Sequence, residues 1–214
     1  MCTIPFHCYR WSLPQDYPYI CDAMVAYADD IALGRACESL WLLSHTPVYT
    51  LGAGALSYVS QDLNVPVYRA GRGGLLTFHG PEQRMIYPFI YIKSRGFTVS
   101  SYLSSLEQWV VHFLNLLGIQ GECTQDRRGV WIQNKKIASL GIQIKRNVAF
   151  HGMALNLYSP SKAFLKISPC GLEKKFGITS LEQLGIPLCY QEIDRLLWKV
   201  CPFKFSVEDQ KIRG

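Results

Sequence analysis

This 214-residue chain predicts an α+β fold, with hairpins and separate helices rather than a regular β-α-β alternation. Three observations carry that prediction. Between Ser100 and Leu117 the residues Leu103, Leu106, Val110, Phe113, Leu114 and Leu117 recur at helical spacing. Two strand-like segments, Lys136 to Ile144 and Val148 to Leu157, are separated only by Lys145-Arg146-Asn147, which predicts a hairpin. No polar linker, repeat or low-complexity tract divides the chain, so a single domain over residues 1–214 is expected.

The other elements follow in order. Asp16 to Ala36, rich in Ala, Met, Leu and Ile, predicts a helix. Leu40 to Leu43 and Val48 to Leu51 predict two strands joined by a turn at Thr46-Pro47. Val65 to Arg69 is a short strand leading into the turn Gly71-Arg72-Gly73-Gly74, and Leu75 to Phe78 is the next. Met85 to Ile92 is almost wholly apolar and aromatic, as a strand covered on both faces would be. Pro88 inside it lacks an N–H, which predicts an edge position or a bulge. Gly118 closes the long helix. Gly129 to Ile132 reads as a strand before a turn at Asn134. Ser161 to Leu165, Ser180 to Leu184 and Tyr190 to Val200 predict a helical turn and two short helices.

Composition narrows the function. Hydrophobic residues at 49% and charged residues at 18% describe a chain that buries a sizeable core. No run of eighteen apolar residues is present, and Met1 to Trp11 has no basic start followed by an apolar stretch. A cytoplasmic protein that does not enter a membrane is expected. The net charge of +6 is spread along the chain without a nucleic-acid motif, so it favours at most encounter with acidic proteins. Eight cysteines without a C-x-x-C pair do not predict a disulfide framework. Neither a G-x-x-x-x-G-K-[ST] phosphate loop nor a G-x-G-x-x-G fingerprint is present, and no cofactor is expected.

The residues with chemistry to offer are few. Cys170 lies in the turn expected at Ser168-Pro169-Cys170-Gly171, where a side chain can be exposed and the backbone can approach a ligand closely. A thiol needs a neighbouring cation or a helix N-terminus to become a good nucleophile at neutral pH. Lys136, opening Lys136-Ile137-Ala138-Ser139-Leu140-Gly141, supplies a cation, and as a neutral amine it can later accept a proton. The small residues after it leave room beside the backbone for an elongated ligand. The glycines of 71–74 allow the main chain to lie flat on that ligand or simply to turn between strands. His79 and His151 each precede a glycine, without metal-ligand spacing, and are expected to hydrogen-bond or to orient substrate.

Taken in order, five segments resemble the lipoyl(octanoyl) transferase family. Arg72 to Gln83 reads RGGLLTFHGPEQ against the family's R-G-G-x-x-T-x-H-G-P-G-Q, and Lys136 to Gly141 reads KIASLG against K-[IL]-[AC]-[AS]-x-G. Phe150 to Asn156 reads FHGMALN, Pro169-Cys170-Gly171 is followed by Ile178-Thr179-Ser180, and His45 to Gly52 is similar to H-x-P-V-[YF]-T-x-G. Two positions depart: Glu82 stands where the family has glycine, and Ser44 where an acidic residue often precedes the histidine.

The resemblance implies the fold of lipoate- and biotin-protein ligases, a mixed β-sheet core with flanking helices. It implies Cys170 as nucleophile and Lys136 as the group that ionises it. The acyl tunnel would be lined by Arg72-Gly73-Gly74-Leu75-Leu76-Thr77-Phe78-His79, by Ser139-Leu140-Gly141 and by Gly152-Met153-Ala154. The substrates it implies are octanoyl-acyl carrier protein and the apo lipoyl domains of 2-oxoacid dehydrogenases and of the glycine cleavage H protein. A monomer is expected, though the sequence leaves the oligomeric state open. An ATP-dependent ligase of the same fold and a non-catalytic acyl-protein binding module are the competing expectations. A cysteine hydrolase is disfavoured, because no His-Asp or His-Asn pairing suggests itself around Cys170.

Overall fold

The computed structural model describes residues 6–55, 65–124, 127–159, 176–204 and 210–212. In chain order the elements are β1 (Phe6–Arg10), α1 (Tyr17–Ala32), β2 (Glu38–Leu43), β3 (Val48–Leu51), β4 (Val67–Arg69), β5 (Leu76–His79), β6 (Gln83–Tyr91), α2 (Val99–Leu116), β7 (Glu122–Thr124), β8 (Arg127–Ile132), β9 (Lys135–Lys145), β10 (Val148–Asn156), β11 (Gly177–Ile178), α3 (Tyr190–Lys199) and β12 (Gln210–Ile212). Among the described residues the main sheet has the order β12-β1-β2-β6-β10-β9-β8-β7, with β11 also on β9. It is mixed: β1 runs parallel to β2 and β12, and β11 parallel to β9, while the other pairs are antiparallel.

Strand alternation distributes the core between the two faces of this sheet. Leu40, Leu42, Ile86 and Ile90 pack with the buried stripe of α2, which includes Leu106, Val110 and Phe113, and with Ile193 and Leu197 of α3. Trp41, Leu43, Met85, Tyr87 and Phe89 face the other way, toward Ile20, Met24 and Ala28 of α1. A second sheet of order β4-β3-β5 contributes the loop and strand of residues 72–79. Local capping explains the helix starts: Asp16 accepts from the Tyr19 N–H at 3.1 Å, and Thr98 from the Ser101 N–H at 3.1 Å. The first helix stops at Ala32, four residues short of the expected end, because Gly34 turns left-handed at φ +70°. The β9–β10 hairpin forms as expected, with Arg146 and Asn147 both at positive φ in its turn.

The two strands expected on either side of Thr46-Pro47 both form, β2 in the main sheet and β3 in the smaller one, so the turn carries the chain between sheets. One expectation is corrected. Pro88 does not lie at an edge: β6 is central, with β2 on one side and β10 on the other. What accommodates the missing N–H is a lapse in the β6–β10 ladder between the pairs Ala149–Ile90 and Met153–Ile86. The helical turn expected at Ser161 to Leu165 lies outside the described residues.

Arg84 fastens β6 to α3. Its side chain is 1% exposed and forms a two-pronged pair with Asp194, Nε to Oδ1 at 2.8 Å and Nη2 to Oδ2 at 2.6 Å. Nη1 donates to the Trp11 carbonyl at 3.0 Å. A buried pair is costly to break from one side, because the remaining charge stays desolvated. Arg84→Met is therefore expected to lower unfolding free energy by about 3 kcal/mol. Urea titration checks this, and adding Asp194→Leu should recover part of the loss. A double variant no better than the single one would contradict the stranded-charge explanation.

Candidate active site

The cavity that matters lies between the two sheets, under the N-terminal turn of α1. Its wall includes Tyr17 of α1, Arg72, Gly74, Leu75, Thr77 and His79 of the 72–79 segment, and Met85 and Tyr87 of β6. Ser139, Leu140 and Gly141 of β9, and His151, Gly152, Met153 and Ala154 of its neighbour β10, complete the wall from the main sheet. Three motif segments far apart in sequence thus meet at one surface.

Strand periodicity separates the expected lining residues. Thr77 and His79 line the cavity, whereas Leu76 and Phe78, one residue out of phase, do not. Phe78 packs instead against Tyr49, with ring centroids 5.5 Å apart, and Leu76 joins the same cluster. Gly73 is not part of the wall either; its N–H donates to the Ile142 carbonyl at 2.9 Å and ties the loop to β9. The glycine loop is not a hairpin turn, because β3 separates β4 from β5. Arg72 is 7% exposed, and its guanidinium ties the loop to β3. Nη1 donates to Gly73 O (2.8 Å) and Leu75 O (3.2 Å), and Nη2 to Thr50 O (3.0 Å) and Thr50 Oγ1 (2.5 Å).

His151 occupies the lapse in the β6–β10 ladder. Its φ of +59° is unusual for a non-glycine strand residue and is the kind of strain found where a fold positions a functional side chain. Gly152 follows at φ +152°, and a Cβ there would overlap the Ile86 carbonyl oxygen. Among the described residues, His151 Nε2 and Thr77 Oγ1 are buried without a hydrogen-bond partner, and both residues line the cavity.

The buried histidines are neutral, and their partners decide their tautomers. His45 Nδ1 lies 3.1 Å from the Gln15 carbonyl, which only accepts, so Nδ1 carries the proton. His45 Nε2, at 3.0 Å, then accepts from the Tyr87 hydroxyl. Burial pushes the His45 imidazole down to about 4 and that of His151 down to about 3, the latter helped by the Arg72 guanidinium. Burial, then Arg72, hold His79 well below the usual histidine range. A relay orients His79. Asn156 Nδ2 donates to the Lys136 carbonyl (3.4 Å) and the Thr179 carbonyl (3.0 Å), so Asn156 Oδ1 accepts from Gln83 Nε2 at 2.9 Å. Gln83 Oε1 must then accept from His79 Nδ1 at 3.1 Å, leaving His79 Nε2 as an acceptor.

Lys136 is 6% exposed, not a solvated strand end. Its Nζ donates to the Arg128 carbonyl at 3.0 Å and lies 4.8 Å from the centre of the Trp131 ring. It is not itself in the cavity wall; Ser139, three residues along β9, is. Cys170 lies outside the described residues. The chain downstream of it returns beside Lys136: Gly177 pairs with Lys135 and Ile178 with Lys136, and the Thr179 N–H donates to the Lys136 carbonyl at 3.0 Å. β11 thereby takes up the edge of β9 that β10 leaves at Ala138. Glu82 does not have positive φ, so the turn after His79 is built without the left-handed residue that glycine would permit.

Tyr17, Met85 and Tyr87 belong to the cavity without having been expected there. Tyr17 opens a helix, and the other two lie in an apolar strand whose sequence does not reveal which face meets a cavity. Gln83 and Asn156 stand at the ends of two of the quoted motifs. Their signal was a buried amide in otherwise apolar surroundings.

The fold is that of lipoate-protein ligases. A bipartite lipoate protein ligase from Thermoplasma acidophilum superposes with a TM-score of 0.70 at 14% identity, covering 97% of this chain and 88% of that one. The lipoyl protein ligase A/B catalytic domain model matches residues 16–200, and the chain belongs to that family. It is 40% identical over 190 residues to an octanoyltransferase of Rhodopseudomonas palustris (strain BisA53), covering 85% of this chain and 81% of the relative. It is 38% identical over 193 residues to an octanoyltransferase of Caulobacter vibrioides, covering 86% and 85%. No described helix is long and apolar enough to cross a membrane.

Proposed function

We propose that this chain is an octanoyltransferase of protein lipoylation, moving an octanoyl group from octanoyl-acyl carrier protein to a lysine of an apo lipoyl domain, such as those of 2-oxoacid dehydrogenases and the glycine cleavage H protein. The observation that carries this reading is the set of relatives named octanoyltransferase, at 36–40% identity over most of the chain. The ATP-dependent ligase reading rests on the family description, which names lipoyl protein ligases A and B together, and on fold likeness to structures at 11–14% identity.

The scheme asks the Cys170 thiol and the Lys136 amine to act together at the end of an acyl chain held by the motif segments. The Cys170 thiolate attacks the thioester carbonyl, a tetrahedral oxyanion forms, and the bond to the carrier sulfur breaks, releasing the carrier thiolate. The octanoyl group is now on Cys170 as a new thioester. A neutral lysine amine of the lipoyl domain attacks the same carbonyl, the bond to Cys170 breaks, and an amide remains. The proton lost by that amine goes to Lys136, which has become a neutral amine by giving a proton to the departing carrier thiolate. Thioester to amide is downhill, so the scheme asks for no nucleotide. Arg72, Gly74, Leu75, Thr77 and His79, with residues 139–141 and 152–154, receive the acyl chain in this scheme, and Tyr17, Met85 and Tyr87 are added to its wall.

Intact-mass spectrometry tests the scheme. Incubation with octanoyl-acyl carrier protein and no ATP is expected to give one octanoyl adduct, mapped to Cys170 and lost on adding apo lipoyl domain. Cys170→Ser should form no such thioester and transfer nothing. Undiminished transfer by that variant, or transfer that requires ATP, refutes the proposal.

A further inference from the structure

We infer that Trp131 is a positioning residue for Lys136, its indole face and the Arg128 carbonyl forming a socket that holds the ammonium where the proposed thiol chemistry needs it. The inference rests on the reading of Lys136 given above. It starts from the register of β8 against β9. Trp131 is the direct cross-strand partner of Lys136, and the ladder shifts between Val130 and Trp131: Val130 faces Ala138 but Trp131 faces Lys136. The extra residue on β9 is a bulge, a device that re-aims side chains at functional sites. Here it brings Lys136 Nζ to 4.8 Å from the Trp131 ring centre and 3.0 Å from Arg128 O. A cation over an indole face is held by the ring quadrupole, more strongly where water is excluded. Trp131 is 1% exposed.

The rest of the socket is built around that pair. Gly129 has φ +118°, and a Cβ on it would lie 3.2 Å from Lys136 Cε and 2.6 Å from the Ala138 carbonyl oxygen, so a side chain would crowd the lysine stem. Glu107, a carboxylate only 3% exposed on the otherwise apolar face of α2, fixes this stretch. It accepts from the Gly129 N–H at 2.8 Å and from Arg128 Nη1 at 3.0 Å. The indole is held in turn by its own N–H, which donates to Arg127 O at 3.0 Å. The Arg127 guanidinium lies between Trp131 (4.8 Å) and Phe176 (4.3 Å), the residue just before β11. The same indole therefore touches Lys136 and, through Arg127 and Phe176, the chain returning from Cys170.

The readout is the pH dependence of alkylation at Cys170, followed by mass spectrometry of its peptide so that other thiols do not interfere. Lys136→Ala sets the reference and is expected to move the midpoint to higher pH. Trp131→Leu should move it the same way by about one unit, roughly a ten-fold loss of thiolate at neutral pH. Trp131→Phe, which keeps a ring face, should restore most of the shift. At pH well above both midpoints the alkylation rates should converge, which a general loss of structure would not produce. Should Trp131→Leu fail to fold, replacing the tryptophans with fluorinated analogues drains the ring face without changing its shape, and the midpoint should climb with fluorine number. If Lys136→Ala raises the midpoint while Trp131→Leu and the fluorinated protein leave it in place, the socket is wrong and the role of Lys136 survives. If Lys136→Ala itself has no effect, the reading of Lys136 fails and takes the socket with it.

Discussion

Lys136→Ala is expected to lower kcat/KM for octanoyl transfer by about 10²–10⁴-fold, the range typical of removing a positioned acid–base group. Lys136 is buried at 6% exposure, and its ammonium is already oriented by the Arg128 carbonyl at 3.0 Å, so little ordering is left to pay for during reaction. Two steps of the proposed scheme need it. The first needs a positive charge near the thiol, and the second needs a nitrogen able to take a proton. Lys136→Arg separates them. A guanidinium keeps the charge but does not give up a proton in the working pH range. That variant should still acquire the octanoyl adduct, the carrier leaving as a thiolate that takes its proton from water, while passing the acyl group on slowly, so acyl-enzyme accumulates. Single-turnover mass spectrometry distinguishes the cases. An alanine variant retaining half the wild-type rate would remove Lys136 from the chemistry.

Acid should unfold this protein at unusually mild pH. His45, His79 and His151 are 0%, 5% and 1% exposed, and burial depresses all three imidazoles. His45 titrates at about 4 and His151 at about 3, whereas an unfolded histidine titrates near 6.5. Above pH 6.5 both states are neutral at these positions and the stability is fully present. As pH falls below 6.5, the unfolded chain binds protons that the native cluster refuses, so stability falls toward the native values near 4 and 3. Each histidine costs up to about 1.4 kcal/mol per pH unit, so three together cost about 4 kcal/mol by pH 5.5. Urea midpoints at pH 7.5, 6.5 and 5.5 measure the decline. His45→Gln with His151→Gln should flatten it, because only one of the three titrating groups remains. A midpoint unchanged between pH 7 and 5.5 would mean that the cluster takes up protons without unfolding.

Much of the architecture was legible because it is local. The α2 stripe and the β9–β10 hairpin were written in periodicity and in a short polar turn, and both form where expected. The site was legible by motif rather than by residue. Segments 72–79, 139–141 and 152–154 do meet at one cavity, yet Leu76 and Phe78 turn away from it. A motif quotes consecutive residues, whereas a strand shows only alternate ones to a ligand. Tyr17 and Tyr87 were invisible because nothing near them in sequence indicates what lies across the sheet. Pro88 misled for a related reason. Its missing donor suggested an edge or a bulge, but the strand is central, and the ladder lapses there opposite the distant positive-φ pair His151-Gly152.

What the residue order alone determined was the helices and most of the strands, though not β1, β7, β11 or β12, together with the α+β class and the ordered motifs that mark the family. These depend on periods of 3.6 and 2 and on turn residues, all set within a few positions of one another. Only the tertiary structure decided that β2 and β3 join different sheets, that three histidines share one buried cluster, and that Lys136 lies on the Trp131 ring. Those outcomes turn on which buried polar atoms find partners across the molecule. A hydrogen bond between residues 20 or 73 positions apart, as Asn156 makes with Lys136 and Gln83, leaves no trace in local pattern.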